Sequence, residues 1–365
     1  MEKMKIPQLK NSKYHGRKGP ITITHKPASI LEFFHQQAAG EIGRTAIGVE
    51  IIKFGRRTKI YAKKEVILSA GALGSPHILL LSGIGPKDYL QQLKIPVLAN
   101  LPVGKNYKDH HSLVLTYSIN STLTSNSNQD DIADKLEYIL HKRGRYSSTI
   151  DGHVFSKIPM KGPKKAYPNI QIEFLRSAGD IGGDPNSLID EIRRELQPRR
   201  PDYGFAVLIY SLHPDSRGFL KLKSRNPFVS PMINPNAFSQ PIDVSKLISV
   251  QSFERTKAWK SLDARLIRMD TTNHCDRLPF NTDAHWDCII RHFADNGGHQ
   301  SGTCRMGAKS DPTTVVDPYL RVKGIRNLRV VNASVMRNLP SGNTHAPTVM
   351  IAEKAADLIK RARKY

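Results

Sequence analysis

Residues 66–85 read VILSAGALGSPHILLLSGIG. Val66–Ala70 is an unbroken apolar run of strand length, and Gly71 and Gly74 end it. Ser75-Pro76 then opens the helix PHILLLSG, with proline in its first turn, where a missing N–H costs nothing. The unit is therefore strand, tight glycine turn, helix. Turns of this kind are common as plain packing elements, and they also stand at the carboxyl edge of α/β sheets, where cofactors bind. Glycine and serine at both ends of so short an apolar helix leave both readings open.

Working outward from this unit, residues 1–45 are basic and loop-rich, and AIGVEIIKF, GRRTK and IYAKKEVILSAGA alternate and turn like a meander feeding the strand. Downstream, a proline-rich stretch (IPVLANLPVGKN) leads into DHHSLVLTYSI, a Ser/Thr/Asn loop at 121–128 and a helix over about 130–142. Strands are expected at HVFSKIP, NIQIEFL, GFAVLIYSL and RGFLKLK, with the charged helix SLIDEIRREL among them, which predicts an antiparallel sheet with helices on one side. A long helix over 241–262, another over 283–294, a strand LRVVNAS and a closing helix from Thr348 complete the reading. The expected fold is α/β plus α+β, with a change of domain after the proline-rich stretch.

The 365 residues are 39% hydrophobic, enough for packed cores rather than a disordered polymer. Lys and Arg number 55 against 32 Asp and Glu, a net charge of +23. The basic residues fall in dispersed pairs such as Arg56-Arg57 and Lys164-Lys165, without the aromatic interleaving of single-strand binders, so a solvated basic surface is expected and no nucleic-acid partner. The longest apolar run, around HILLLSGIG, is too short to span a bilayer. Of three cysteines, Cys275 and Cys288 form one bridge if the compartment is oxidising.

Three further segments carry candidate chemistry. In GGHQSGTCRMG (297–307), glycines that allow close backbone approach flank His299. GIRNLRVVNASVM (324–336) is a strand ending in small residues whose N–H groups can meet a phosphate or ring oxygen, or simply a strand end. In SGNTHAPTVMIAEKAADLI (341–359), Asn343 or Thr344 caps a helix, Pro347 suits its first turn and Val349, Ala352, Ala356 and Ile359 recur at helical spacing; His345 is needed for none of this. His285, Cys288 and His292 share one helical face near His274-Cys275, but their spacing matches no compact zinc motif, and no metal site is expected.

Taken together and in order, these segments resemble the flavin-dependent glucose-methanol-choline oxidoreductases, the insect glucose-dehydrogenase-like branch above all. GALGSPHILLLSGIG, LPVGKNYKDHH, HPDSRGFLKLKSRNPFVSPMINPNAF, HQSGTCRMG, VVDPYLRVKGIRNLRVVNASV and SGNTHAPTVMIAEKAADLI carry the resemblance, which runs from about Tyr14 to Ile359. It implies a bound FAD that takes hydride from the carbon of an alcohol or sugar while a base takes the hydroxyl proton. His299 and His345 match the two positions that face the reacting atoms. An alcohol O–H is far too weak an acid to ionise at neutral pH without such a base, and an imidazole with a pKa of about 6.5 can accept there. The resemblance also implies cofactor contacts from Gly71, from Asn332-Ala333-Ser334 (the family's Asp-Ala-Ser), and from Thr344, Pro347 and Thr348, where the closing helix points its N-terminus at the flavin. Oxygen or a quinone-like acceptor would reoxidise the cofactor. The resemblance likewise implies a partial Rossmann-like FAD-binding domain and an antiparallel-sheet substrate domain, divided into a basic, loop-rich segment 1–45, part of the cofactor domain 46–110, the substrate domain 111–280 and a return to the cofactor domain 281–365.

The chain departs from that pattern at one end. No GxGxxG occurs in it, its start resembles a mid-chain stretch (YHGRKGPITI, then FFHQQAAGEIG), and a second gap falls near Gly43-Arg44. An N-terminally truncated enzyme, or a non-catalytic remnant keeping the substrate domain, is expected on these grounds.

Overall fold

The structure is a computed structural model describing residues 21–24, 30–36, 44–53, 56–120, 132–148, 150–158, 167–175, 203–267 and 274–362. The strand Val66–Ser69 runs through the middle of a parallel sheet, between Ile21–Thr24 and Leu328–Val330. Val66 and Leu68 are fully buried, as expected of a parallel strand covered on both faces. Beside it, Ile30–Gln36, Arg44–Lys53 and Arg56–Tyr61 form an antiparallel meander, to which Ile325–Arg326 adds a parallel edge. Leu68, Leu79, Ile84, Val316 and Val330 belong to the core that unites this region.

A second, antiparallel sheet runs in the order Ile150–Ser156, Ile170–Leu175, Gly204–Ser211, His111–Ser118, Arg265–Leu266, with Asp295–Asn296 paired to the start of His111–Ser118. Strand alternation gives it two unlike faces. One carries Leu113, Leu115, Tyr117, Ile172, Phe205 and Val207 into a second core under the helices Pro241–Ile248 and Asp283–Phe293. Gln171, Glu173 and Tyr210 stand on the other. The expected α/β plus α+β class is what the molecule shows. SLIDEIRREL and the loop 121–128 lie outside the described residues.

Four local expectations need correction. The helix after the glycine turn starts at Gly71, not Ser75, and spans Gly71–Leu81 with Pro76 inside. Pro76 has no N–H to offer the carbonyl of Ala72, and the Thr303 hydroxyl donates to that oxygen instead, at 2.6 Å. The long helix over 241–262 is three pieces, Pro241–Ile248, a 3-10 stretch Ser249–Arg255 and Lys257–Ser261. Thr256 breaks it by taking an extended conformation and capping the next helix through its Oγ1, which accepts from Trp259 N–H. The closing helix begins at His345 rather than Thr348. Finally, the helix Asp283–Phe293, expected with the cofactor domain, packs on the antiparallel sheet, because Trp286, Ile289, Ile290 and Phe293 share one face and bury there.

Candidate active site

Two groups of residues converge from distant parts of the chain. The first gathers at the carboxyl end of Val66–Ser69. Gly71 has φ +77° and nothing within 4 Å of where a Cβ would stand, so open space borders this backbone at the start of the buried helix. Asn332 caps the short turn Ala333–Val335 by accepting from Ser334 N–H at 2.9 Å. Its Nδ2 donates to Leu68 O at 3.2 Å and to Ser75 Oγ at 2.8 Å. Both ends of the Asn332 amide are thus engaged within the protein, and Ala333 and Ser334 are held by backbone bonds from Gly302 and Cys304. This ties the loop 302–306 to the strand end.

The second group lies where that loop meets the antiparallel sheet. His299 Nδ1 sits 3.1 Å from His110 Nδ1, the rings nearly perpendicular with centroids 5.0 Å apart. Tyr210 flanks His299 at 5.6 Å between centroids. The His299 N–H donates to Asp109 Oδ1 at 2.7 Å, while Tyr107 Oη donates to the other carboxylate oxygen. Gly297 makes this packing possible, since a Cβ there would stand 2.9 Å from a Tyr210 ring carbon and 3.0 Å from His110 O.

Burial sets the charge state. His110 is fully buried, and desolvation, with repulsion from His299 and His213, lowers its pKa to about 3. Desolvation lowers His299 as well. Both rings are neutral at pH 7, so one Nδ1 donates and the other accepts across their contact. Asp109 is pushed up to about 6, by burial first, against hydrogen bonds that favour its carboxylate. Two imidazoles, a phenol and a buried carboxyl therefore form one polar nest beside an apolar sheet.

The structure records no hydrogen bond or ring contact between His299 and His345. His345 is exposed at the first turn of the helix His345–Ala362. Its loop nevertheless reaches the polar sheet face: Gln171 Nε2 donates to Asn343 Oδ1 at 2.9 Å, and Ser341 Oγ is 2.9 Å from His213 Nε2. Thr348 donates from N–H and hydroxyl to Thr344 O, and Pro347 fills the first turn. Sequence reasoning missed His110. The signal was present in the buried run DHHSLVLTYS, whose first histidine precedes a strand that carries its neighbour to the core. His292, a candidate for metal, has its Nδ1 2.8 Å from Cys288 O, and the Cys275 and Cys288 sulfurs are joined at 2.02 Å.

A parallel sheet with open space at its glycine turn thus lies beside an antiparallel sheet at whose edge two neutral histidines meet. Family models of the GMC oxidoreductases match residues 26–112 and 214–352, and the chain belongs to that family. It is 39% identical over 328 residues to the glucose dehydrogenase [FAD, quinone] of Drosophila melanogaster, covering 87% of this chain and 50% of the relative. The mitochondrial choline dehydrogenase of Homo sapiens is 38% identical over 327 residues, covering 87% and 51%. The chain thus spans about half the length of the curated relatives it matches. Among solved structures, a formate oxidase of Aspergillus oryzae superposes with a TM-score of 0.76 at 22% identity, over 92% of this chain and 60% of that one.

Proposed function

We propose that this chain forms part of an FAD-dependent oxidoreductase that oxidises the CH–OH group of an alcohol or sugar, with electrons leaving to a quinone-like acceptor or oxygen. The observation that carries the reading is the neutral His110–His299 contact, held on the same loop that closes over the strand end at Gly71 and Ala333. The residues present suit the flavin in one respect: free space borders the Gly71 backbone at a helix start, where a cofactor's polar edge can approach main-chain donors. Gly71 and Ala333 would hold it there by backbone, while Ser334 and Thr348, whose N–H groups are already given to Asn332 Oδ1 and Thr344 O, would line it together with Thr344 and Pro347. When bound, FAD supplies the hydride acceptor.

The protein's own residues handle the proton. With His299 donating from Nδ1 to His110, its Nε2 keeps a lone pair and accepts the substrate hydroxyl proton. His110 holds that tautomer, Asp109 fixes the loop through the His299 N–H, and Tyr210 sets the ring plane. His345 completes the pair by donating to the same substrate oxygen as its loop, anchored through Asn343 to Gln171, packs over the sheet.

The test is flavin titration followed by dye reduction with sugars and alcohols, on this chain and on a form extended at its N-terminus. Bound flavin with turnover, reduced at least about a hundredfold in His299→Ala, supports the reading. Flavin binding without turnover on any CH–OH donor, or turnover indifferent to His299→Ala, overturns it. A chain that leaves flavin fluorescence unchanged in both forms is the non-catalytic remnant.

A further inference from the structure

The helix-covered face of the antiparallel sheet is not fully packed. Between its strands and the pieces Ser249–Arg255 and Lys257–Ser261 lies a cavity of about 380 Å³, walled chiefly by Leu115, Phe174, Phe205, Val207, Ile209 and Val250. It is half open to solvent, and concave pockets of this size fall in the range of small-molecule sites, roughly 300–1,000 Å³. Two of the residues lining it, Trp259 and Gln251, carry buried side-chain nitrogens, Nε1 and Nε2, with no hydrogen-bond acceptor among the described residues. A buried N–H without an acceptor is costly, and it is rare in native proteins unless something else supplies the oxygen. The remaining polar lining is Asp151, Glu254 and Thr256, and Tyr117 Oη already donates to Glu254 at 2.6 Å. The unmet need is therefore for an acceptor, and the carboxylates disfavour an anion.

We infer that this cavity is a second binding site, for a small uncharged apolar molecule bearing one hydrogen-bond acceptor such as a ketone. It is distinct from the candidate active site. Leu115, Tyr117 and Val207 face the cavity, whereas Gln171, Glu173 and Tyr210 occupy the opposite face of the same sheet. The ligand lies flat against the aromatic group of Phe174, Phe205 and Trp259, whose rings stand 5.5 to 6.5 Å apart. Its oxygen takes the Trp259 or Gln251 proton.

The chain has two tryptophans, so Trp286→Phe leaves Trp259 as a built-in reporter lining the site. In that background, 4-phenylbutan-2-one is expected to change Trp259 fluorescence saturably. It should bind about tenfold more tightly than butylbenzene, the worth of one buried hydrogen bond, and 4-phenylbutyrate more weakly still. Gln251→Leu should narrow the ketone's advantage if Gln251 is the donor. Trp259→Phe, followed by equilibrium dialysis, should narrow it if Trp259 is. Val207→Phe fills the cavity and should abolish binding while keeping the melting temperature, which separates a filled site from an unfolded chain. The proposal is overturned if the ketone gives no saturable change at millimolar concentration, or binds no better than butylbenzene. Binding undiminished in Val207→Phe, an advantage that survives both donor substitutions, or a self-association that excludes the probe overturns it equally.

Discussion

At the residue scale, His110 and Asp109 pull stability in opposite directions with pH. His110 has a folded pKa of about 3, below its unfolded value, so its contribution is complete above about pH 6.5 and is lost as pH falls towards 3. Asp109, raised to about 6, contributes below its unfolded pKa of 3.8 and loses that contribution as pH rises through 6. His110→Asn should therefore flatten the acid limb of the melting curve between pH 6.5 and 4, retaining a few kcal/mol, on the order implied by the shift, that the parent loses. Thermal melts across pH 4–8 check this, and equal acid sensitivity in both proteins would count against a buried neutral His110. The site was half legible in advance. His299 stood out because glycines flank it, whereas His110 looked like the start of a strand, and only a contact across 189 positions gives it a partner.

At the scale of elements, two bonds do work that the regular ladders leave undone. Thr303→Val keeps shape but removes the hydroxyl that replaces the missing Pro76 N–H at Ala72 O. The expected cost is about 1–3 kcal/mol, that of an orphaned buried carbonyl, read by denaturant titration, whereas Thr303→Ser should cost less than half as much. The Cys275–Cys288 bridge, with a separation of 13 residues, pins the turn His274–Arg277 to the helix Asp283–Phe293. Replacing both cysteines with serine should remove roughly 3 kcal/mol by the chain-entropy account, and reduction should lower the parent's melting point in the same sense. Helix positions were readable wherever apolar spacing dominated. They were misread at Pro76 and Thr256, where a side chain from elsewhere or from the break itself settled the hydrogen bonding.

At the scale of the molecule, charge is unbalanced at +23, and the compact state must bear its own repulsion. Raising sodium chloride from 20 to 200 mM should lift the melting temperature by about 2 °C or more, as screening relieves roughly 1 kcal/mol. A flat or falling curve would mean that the ion pairs, such as the buried Lys246–Asp243 contact at 2.9 Å, outweigh the excess. The division into a parallel and an antiparallel region was legible from strand composition. The pairing of Val66 with Leu328 was not, because register between strands so far apart leaves no local trace.

That pairing also bears on how the chain is made. Every described strand of the antiparallel sheet lies between His111 and Asn296, so these strands have their partners once that stretch has left the ribosome. The parallel sheet waits for Leu328–Val330, with Val66–Ser69 exposed along one edge through most of synthesis. During translation Val66–Ser69 is made long before Leu328–Val330, and this apolar strand needs shielding until its partner emerges.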